Sequence, residues 1–369
     1  MTRLAILVEQ CLAPVPGGTG RYSRELAAAL AATAPPGSDV TGWVARHPDT
    51  AAARIPGVSG PRSLPLARRP LVLAWQRGLG PAPRDADVVH APTLLLPPRR
   101  GRALVVTVHD TVPWTHPETL TPRGVAWHRQ MAGRAARSAD RIVVPTRAVA
   151  EQLAEVLPAV ADRLVVVGEG VSGDLAVPAD AERRARRLGL PAGGYLLSLA
   201  TLEPRKGLDV LLAALAGPDG PDLPLVVVGQ PGWGGVDPRA EATRIGLPAT
   251  RLLLLGRVSD ADLAVVLARA TTLAVPSRAE GFGLPVLEAM AAGVPVVSSD
   301  VPALVEVAAG ATVVVPGGDS AALAAALVRV SGDGALRAAL IDRGRRRAAD
   351  FTWTGAAAAL WCLYGELVG

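Results

Sequence analysis

The sequence predicts an α/β protein built of two doubly wound domains. Three observations lead there. Short runs of apolar and β-branched residues read as strands buried on both faces, segments of helical period alternate with them, and glycine-broken loops fall where strands end. At 369 residues the chain is long for one core and comfortable for two. We place the first domain at residues 1–180 and the second at 181–350, with a last helix following.

In the first domain, residues 3–8 form a strand and 11–20 a long loop with Gly17, Gly18, Thr19 and Gly20, before a helix opening at Arg21. Such a loop can bring backbone N–H groups to a phosphate. A dinucleotide fingerprint is disfavoured, because Ser23 stands where its third glycine belongs and no acidic residue ends the next strand, residues 40–45. Strands at 87–91 and 103–108 each end near a histidine, His90 and His109. His109 and Asp110 stand at a carboxyl end, where open α/β sheets bind ligands, although a histidine there is often merely packed. A helix at 121–138, a strand at 141–144, a helix at 147–157 and a strand at 163–167 complete the domain. Residues 177–194, with two prolines and a charged segment, read as linker.

The second domain opens with a strand at 195–199, the loop Ala200 to Gly207 and a helix at 208–216. Arg205 and Lys206 stand at a strand's carboxyl edge beside a helix start, where they would neutralise a diphosphate or simply be a solvated pair on a turn. Strands at 225–228 and 251–255 alternate with helices at 237–245 and 260–270. The stretch that organises the domain follows. Residues 271–275 read as a strand, Pro276 to Gly283 as a loop, 284–292 as a helix and 294–297 as the next strand. Pro285 suits a first helical turn and Gly293 a left-handed C-cap. The helix start turns the N–H groups of Phe282, Gly283 and Leu284 toward an anion, while Glu280 and Glu288 suit hydroxyls on either side. A sugar joined to a nucleoside diphosphate fits that combination; an acidic helix start that only complements the macrodipole is the alternative. A strand at 313–315 and helices at 320–330, 335–349 and 354–367 end the chain. The triplets Asp85 to Asp87 and Asp260 to Asp262 read as caps rather than metal carboxylates.

Composition narrows the classes. Half the residues are apolar, 19% are charged and the mean hydropathy is +0.30, yet no uncharged apolar run approaches the roughly 20 residues of a membrane span. The first strand is too short for a signal-peptide core, so a cytoplasmic protein is expected. Cys11 and Cys362 support neither a disulfide framework nor a thiolate metal site. The formal charge is +5, and residues 62–102 hold eight arginines against Asp85 and Asp87 alone. That basic, apolar segment suits peripheral contact with an anionic membrane or a pyrophosphate-bearing acceptor, or reflects arginine-rich composition alone. Nucleic acid is not indicated, since aromatic platforms are missing. Lys206 is the single lysine among 38 basic residues, an ammonium kept where a point charge matters or left by chance.

These residues together resemble glycosyltransferase family 4, retaining enzymes of the GT-B architecture. The resemblance rests on Pro276-Ser277-Arg278-Ala279-Glu280-Gly281-Phe282-Gly283-Leu284-Pro285 running on to Glu288 and Gly293. Further matches are Gly17-Gly18-Thr19-Gly20-Arg21-Tyr22, Thr107-Val108-His109-Asp110, Thr201-Leu202-Glu203-Pro204-Arg205-Lys206-Gly207, Leu255-Gly256-Arg257-Val258 and Phe351-Thr352-Trp353. It implies two Rossmann-like domains facing a cleft, an acceptor-side domain first and a nucleotide-sugar domain second, with residues 351–369 returning to the first. It also implies roles. His109, Glu280, Arg205 and Lys206 would be catalytic. Gly17, Gly18, Thr201, Arg257, Val258, Gly281, Phe282, Gly283, Leu284 and Glu288 would bind the donor, with no metal and no cofactor beyond a GDP- or UDP-linked sugar. The implied reaction is retaining transfer of a hexosyl group, mannosyl by preference, to a glycan or lipid-linked acceptor, as in polysaccharide biosynthesis at the inner membrane face. Two departures stand out: Thr201 where many relatives carry arginine, and Gly168-Glu169-Gly170-Val171 for the usual Pro-Asn-Gly-Val. A sugar-nucleotide epimerase or hydrolase, or a catalytically silent sugar-nucleotide binder, are the alternative functions.

Overall fold

The computed structural model describes residues 1–369, the side chain of Asp174 aside. In chain order the elements begin β1 (Arg3–Leu7), α1 (Gly17–Ala32), β2 (Asp39–Arg46), β3 (Ser59–Ala67), α2 (Arg68–Gln76), β4 (Val88–Ala91) and β5 (Ala103–Thr107). A one-turn α3 (Val112–Thr115), α4 (Pro122–Ser138), β6 (Arg141–Val144), α5 (Arg147–Val156) and β7 (Leu164–Val166) follow. Then come α6 (Ala181–Leu188), β8 (Leu196–Leu199), α7 (Leu208–Ala216), β9 (Leu225–Val228), α8 (Pro238–Arg244), β10 (Leu252–Gly256), α9 (Asp260–Arg269) and β11 (Thr272–Val275). The chain ends with α10 (Leu284–Ala292), β12 (Val296–Ser299), α11 (Pro302–Ala308), β13 (Val313–Val315), α12 (Ser320–Gly332), α13 (Gly334–Ala349) and α14 (Trp353–Val368).

Two compact units result. One comprises Met1–Pro117, Thr121–Gly170 and Phe351–Gly369; the other comprises Glu118–Leu120 and Val171–Asp350. The first holds a parallel sheet in the order β3-β2-β1-β4-β5-β6-β7, and α14 packs on α1 within that unit. The second holds a parallel sheet in the order β10-β9-β8-β11-β12-β13. Each sheet carries its own core, because strands such as Leu225–Val228 and Thr272–Val275 are buried on both faces. Both orders reverse once, between β1 and β4 and between β8 and β11. The carboxyl ends at a reversal splay apart and leave a crevice.

Five elements differ from the sequence reading. The helix α1 opens at Gly17 rather than Arg21, so Gly17, Gly18 and Gly20 lie in its first turns and not in a loop. Poor helix propensity is overridden there: Gly20 donates to the Pro16 carbonyl at 2.9 Å, and a Cβ on it would collide with the Pro16 ring. Strand β3 and helix α2 occupy the Pro- and Arg-rich segment, because β3 is an edge strand paired only with β2 and tolerates Pro61 and Pro65. The expected linker contains α6, which docks by charge rather than by an apolar stripe. Arg184 and Arg187 reach Asp262 of α9 at 2.9 and 2.5 Å, Arg269 pairs with Glu182, and Ala185 alone is buried. Helix α11 was hidden in a short apolar run behind Pro302.

The aspartate triplets also separate. Ser259 caps α9 by accepting from the Asp262 N–H at 3.1 Å, and the Asp262 carboxylate is taken by Ser259 and the two arginines of α6. Asp87 caps no helix: it accepts from the Arg3 N–H at 2.9 Å and pairs with its guanidinium at 2.7 Å.

Glycine is required where α7 begins. Gly207 has φ 65°, and a methyl group on it would fall on the Pro276 carbonyl. Gly246, at φ 76°, has open space around it. Gly207→Ala should therefore cost at least about 2 kcal/mol, backbone strain plus overpacking, and Gly246→Ala about 1 kcal/mol from strain alone. Urea unfolding of the two variants checks the contrast, and equal losses would refute the collision.

Candidate active site

The reversal between β8 and β11 places two loops side by side. After β8, a 3-10 turn at Pro204–Lys206 ends at Gly207 and feeds α7; after β11, Pro276 to Gly283 feeds α10. Backbone and side chains lace them together. The Arg278 N–H donates to the Arg205 carbonyl at 2.7 Å, and the Arg278 guanidinium grips both oxygens of Asp209 at 2.9 and 2.6 Å and the Pro204 carbonyl at 2.8 Å. Ser299 of β12 braces the second loop by donating to the Ser277 carbonyl at 2.5 Å.

Between the loops lies a charged cluster. Glu280 accepts from the Lys206 ammonium at 2.6 Å and Ser277 hydroxyl at 2.8 Å on one oxygen, and from Arg205 at 3.2 Å on the other. Arg205 also meets Glu203 at 3.0 Å and the Ala279 carbonyl at 3.2 Å. The Glu280 side chain is only 8% exposed. Burial alone would raise its carboxyl, but Lys206 and Arg205 outweigh it and hold the group down to about 2. Burial and the neighbouring Arg205 lower Lys206, against the pull of Glu280. The cluster is therefore anionic and cationic groups locked together, with Lys206 the softest charge in it.

The helix start has the geometry its sequence suggests. Gly283, at φ 98°, turns the chain into α10, Pro285 sits in the first turn, and Gly293 closes it at φ 74°. Phe282 and Leu284 are buried, and Glu288 lies at 4% exposure one turn into the helix. Gly281 completes the loop between Glu280 and Phe282. Arg257 and Val258 follow Gly256 at the carboxyl end of β10, on the same edge of the sheet but two strands from β8. Thr201 packs so closely on Gly232 that a Cβ there would collide with it. The fold thus joins Arg205, Lys206 and Glu280 directly, sets Gly281 to Leu284 and Glu288 beside them along the chain, and keeps Arg257 and Val258 apart.

The first unit has its own constellation at the carboxyl ends of its strands. Gly17 and Gly18 are exposed in the first turn of α1. His109, just beyond β5, meets the Pro92 carbonyl through Nε2 at 2.8 Å and the buried Glu169 carboxylate through Nδ1 at 3.7 Å. The Tyr22 ring stands edge-on to it at 4.6 Å. His90, wholly buried, links Tyr364 of α14 at 2.6 Å to Thr107 at 2.9 Å, and Thr107 contacts the Tyr22 hydroxyl at 3.2 Å. Beside His109 opens a pocket of about 270 Å³ lined by Arg68, Thr93, Asp110, Trp127 and His128 among others.

Several of these residues escaped the sequence reading. Glu169 had one signal, a carboxylate just past β7 where an asparagine is usual. Glu9 had none: it is buried, accepting from the Ala45 N–H at 2.8 Å and facing His47 at 2.9 Å and Arg68 at 3.4 Å, which ties β1 to β2. Tyr364 is invisible without knowing that α14 covers His90.

Solved structures define the class. Sucrose-phosphate synthase from Thermosynechococcus elongatus matches with a TM-score of 0.73 at 24% identity, over 100% of this chain and 99% of that one. Anabaena HepE, solved with UDP-glucose, matches with a TM-score of 0.77 at 20% identity over 100% of both chains. The fold is the GT-B fold, two Rossmann-like α/β domains with a C-terminal helix.

Sequence comparison names the family. Residues 164–347 match the model of glycosyl transferases group 1, and residues 16–174 that of glycosyltransferase family 4. O-antigen chain mannosyltransferase B of Escherichia coli is 33% identical over 300 residues, 78% of each chain. D-inositol 3-phosphate glycosyltransferase 1 of Catenulispora acidiphila is 33% identical over 330 residues, 84% of this chain and 79% of the relative. This chain belongs to the group 1 glycosyltransferases and is a sugar-transferring enzyme.

Removing the carboxylate should expose the cluster's energetics. Glu280→Gln leaves Lys206 and Arg205 buried beside each other, at a cost on the order of 3 kcal/mol at neutral pH. The depressed carboxyl contributes stability above its unfolded value near 4.5, and that contribution fades only as pH falls toward about 2. Urea unfolding of both proteins at pH 7 and pH 5 should give the same difference. A loss below about 1 kcal/mol would show that the pair does not hold the loops.

Proposed function

We propose that this enzyme transfers a hexosyl group, mannosyl in our reading, with retained anomeric configuration from a GDP- or UDP-linked sugar to a hydroxyl of a glycan or lipid-linked acceptor. The observation that carries the proposal is the Lys206–Glu280–Arg205 cluster at the β8/β11 reversal beside the start of α10. Arg205 and Lys206 take the charge that develops on the departing diphosphate, the task on which acyl and phosphoryl sites spend most of their stabilisation. Backbone amides from Gly281 to Leu284 help them, Glu280 orders sugar hydroxyls, and Glu288 holds the ribose. Thr201 lies along the phosphates, while the backbone at Arg257 and Val258 meets the base. In the first domain, Gly17, Gly18 and His109 are candidates by resemblance to the family. The charge is met by side chains and amides, so no metal is invoked. The mannosyl preference draws support from the Escherichia coli relative, and the nucleotide-sugar donor from the UDP-glucose held by HepE.

The bond from the anomeric carbon to the phosphate oxygen breaks as the acceptor oxygen bonds to the same face. The acceptor's proton passes to the leaving phosphate. The pocket beside Trp127 and Arg68 is our acceptor site.

A peripheral membrane contact belongs to the same reading. Among the described residues no helix is long and apolar enough to cross a membrane. The outer face of α2 and the following turn instead expose Leu73 at 50% and Leu79 at 59%, with Arg69 and Arg77 exposed beside them. Arg100 reaches over to the Gly80 carbonyl at 3.1 Å. Apolar tips ringed by arginine suit the anionic cytoplasmic leaflet, each arginine contributing about 1 kcal/mol.

Thermal unfolding with GDP, UDP, their sugars and NAD tests the donor. One nucleotide family should raise the midpoint, Lys206→Ala should abolish that shift, and turnover of the variant should drop about 100-fold. Stabilisation by NAD alone, or by none, would refute the donor site. Arg278 is a poor control because it clamps Asp209 and Pro204, so an exposed arginine of α13, Arg343, serves instead.

Vesicle sedimentation tests the surface. The wild type should pellet with vesicles containing phosphatidylglycerol at low salt, and the double variant Arg69→Glu, Arg77→Glu should stay in solution. Equal partition of both proteins would remove the membrane face from the proposal.

A further inference from the structure

The two ring nitrogens of His109 are both spoken for within the first domain. Nε2 lies 2.8 Å from the Pro92 carbonyl, an oxygen that can only accept, so Nε2 carries a proton. Nδ1 looks toward a Glu169 carboxylate oxygen at 3.7 Å, an ion-pair distance rather than a hydrogen bond. A doubly protonated ring gives a hydrogen to the carbonyl on one side and a positive charge to the carboxylate on the other. Glu169 is itself 5% exposed, in a segment fixed by Gly170, on which a Cβ would run into the backbone of Trp353. Trp353 in turn stands edge-on to Tyr22 at 5.7 Å, and Tyr22 edge-on to His109.

We infer that Glu169 is a positioning residue that keeps His109 as a fixed imidazolium, so that this histidine offers positive charge at the strand end and cannot accept the acceptor's proton. The inference rests on the proposed function only for what the charge is used for; the protonation state stands on the first domain alone. It assigns a use to the glutamate found where asparagine is usual. An asparagine amide would orient the ring without supplying charge.

The carboxylates and the carbonyl facing His109 agree in sign, while Arg68 and His128 line the pocket on its open side. Burial pulls its protonation downward, while Glu169, the Pro92 carbonyl and Asp110 raise it, and the net direction is up from 6.5. His90 is the opposing neighbour, but burial and the His109 charge lower it to about 3, which leaves it neutral at physiological pH. Tyr22 contributes a ring edge, and its hydroxyl is pushed up by burial and stays protonated. Because the folded value lies above the unfolded one, the pair stabilises the domain fully below pH 6.5, and that contribution is lost as pH rises through the folded value.

Imidazole nitrogen NMR of the full-length protein, with histidine labelled and the signal assigned by its absence in His109→Asn, measures this directly. In the wild type both His109 nitrogens should show the protonated shift at neutral pH. In Glu169→Gln the titration midpoint should fall below the wild type's, and Glu169→Asp should restore part of it. One unprotonated nitrogen in the wild type at neutral pH would overturn the inference, as would a Glu169→Gln midpoint equal to the wild type's. No donor or acceptor is present in this measurement, so failure of the transferase reading would leave its result standing, and failure here would leave the donor panel standing.

Discussion

A carboxylate buried between two cations sets the terms for the second domain. Glu280 could not remain ionised at 8% exposure without Lys206 and Arg205, and those two could not sit side by side without Glu280. The penalty for desolvating three charges is met only by close geometry, so the loops after β8 and β11 must be held to within a fraction of an ångström. That demand explains features that otherwise look unrelated: the left-handed Gly207 pressed on the Pro276 carbonyl, Arg278 gripping Asp209, and Ser299 fastening Ser277. Each removes freedom from a loop that a surface turn would normally keep. In the reaction we propose, such preorganised charge would serve where a diphosphate departs, because side chains that had to reorient would give back much of their benefit.

The first domain solves its polar problem differently. It uses neutral hydroxyls where it can: Tyr364, Thr107 and Tyr22 pass hydrogen bonds through His90 in a region closed to water, and no net charge is buried by that chain. Such a network fixes side-chain rotamers at low electrostatic cost. It also explains why the last helix belongs to this unit, since Tyr364 closes the network from α14 and Trp361 donates to the Leu30 carbonyl of α1 at 3.1 Å.

What could be read from the sequence follows a physical line. The strands of both sheets other than the edge strand β3, and the helix from Leu284 to Ala292, were legible because their signals are local: buried apolar runs, Pro285 at a helix start, Gly293 at its end. Helix α6 was not, because its partners Asp262 and Arg269 lie far along the chain and its own face is charged. The start of α1 was missed because the contact with Pro16, not propensity, places it. The same division holds at the site. Arg205, Lys206 and Glu280 were identifiable as residues, since each sits at a strand end in a motif, but that Glu280 pairs with both cations depends on the order β8-β11 in the sheet. Glu169 and Glu9 are buried acids whose partners are distant in sequence, and a lone carboxylate carries no local mark of burial.

The two strand-end histidines show why residue type alone does not decide chemistry. One lies in β4 and the other just beyond the adjacent β5, His90 wholly buried and His109 mostly so, and they share an unperturbed value near 6.5. His90 is given hydroxyls, which serve a neutral ring as well as a charged one, and burial then drives it neutral. His109 is given a carboxylate, and the same burial is overcome. Two imidazolium rings on neighbouring strands would repel each other in a low-dielectric interior, so the neutrality of His90 is a condition for the charge on His109. The hydroxyl of Tyr364 therefore does more than fill a gap beneath α14. By keeping His90 bonded without charging it, the last helix helps to leave the positive charge of this domain at the strand end where His109 stands.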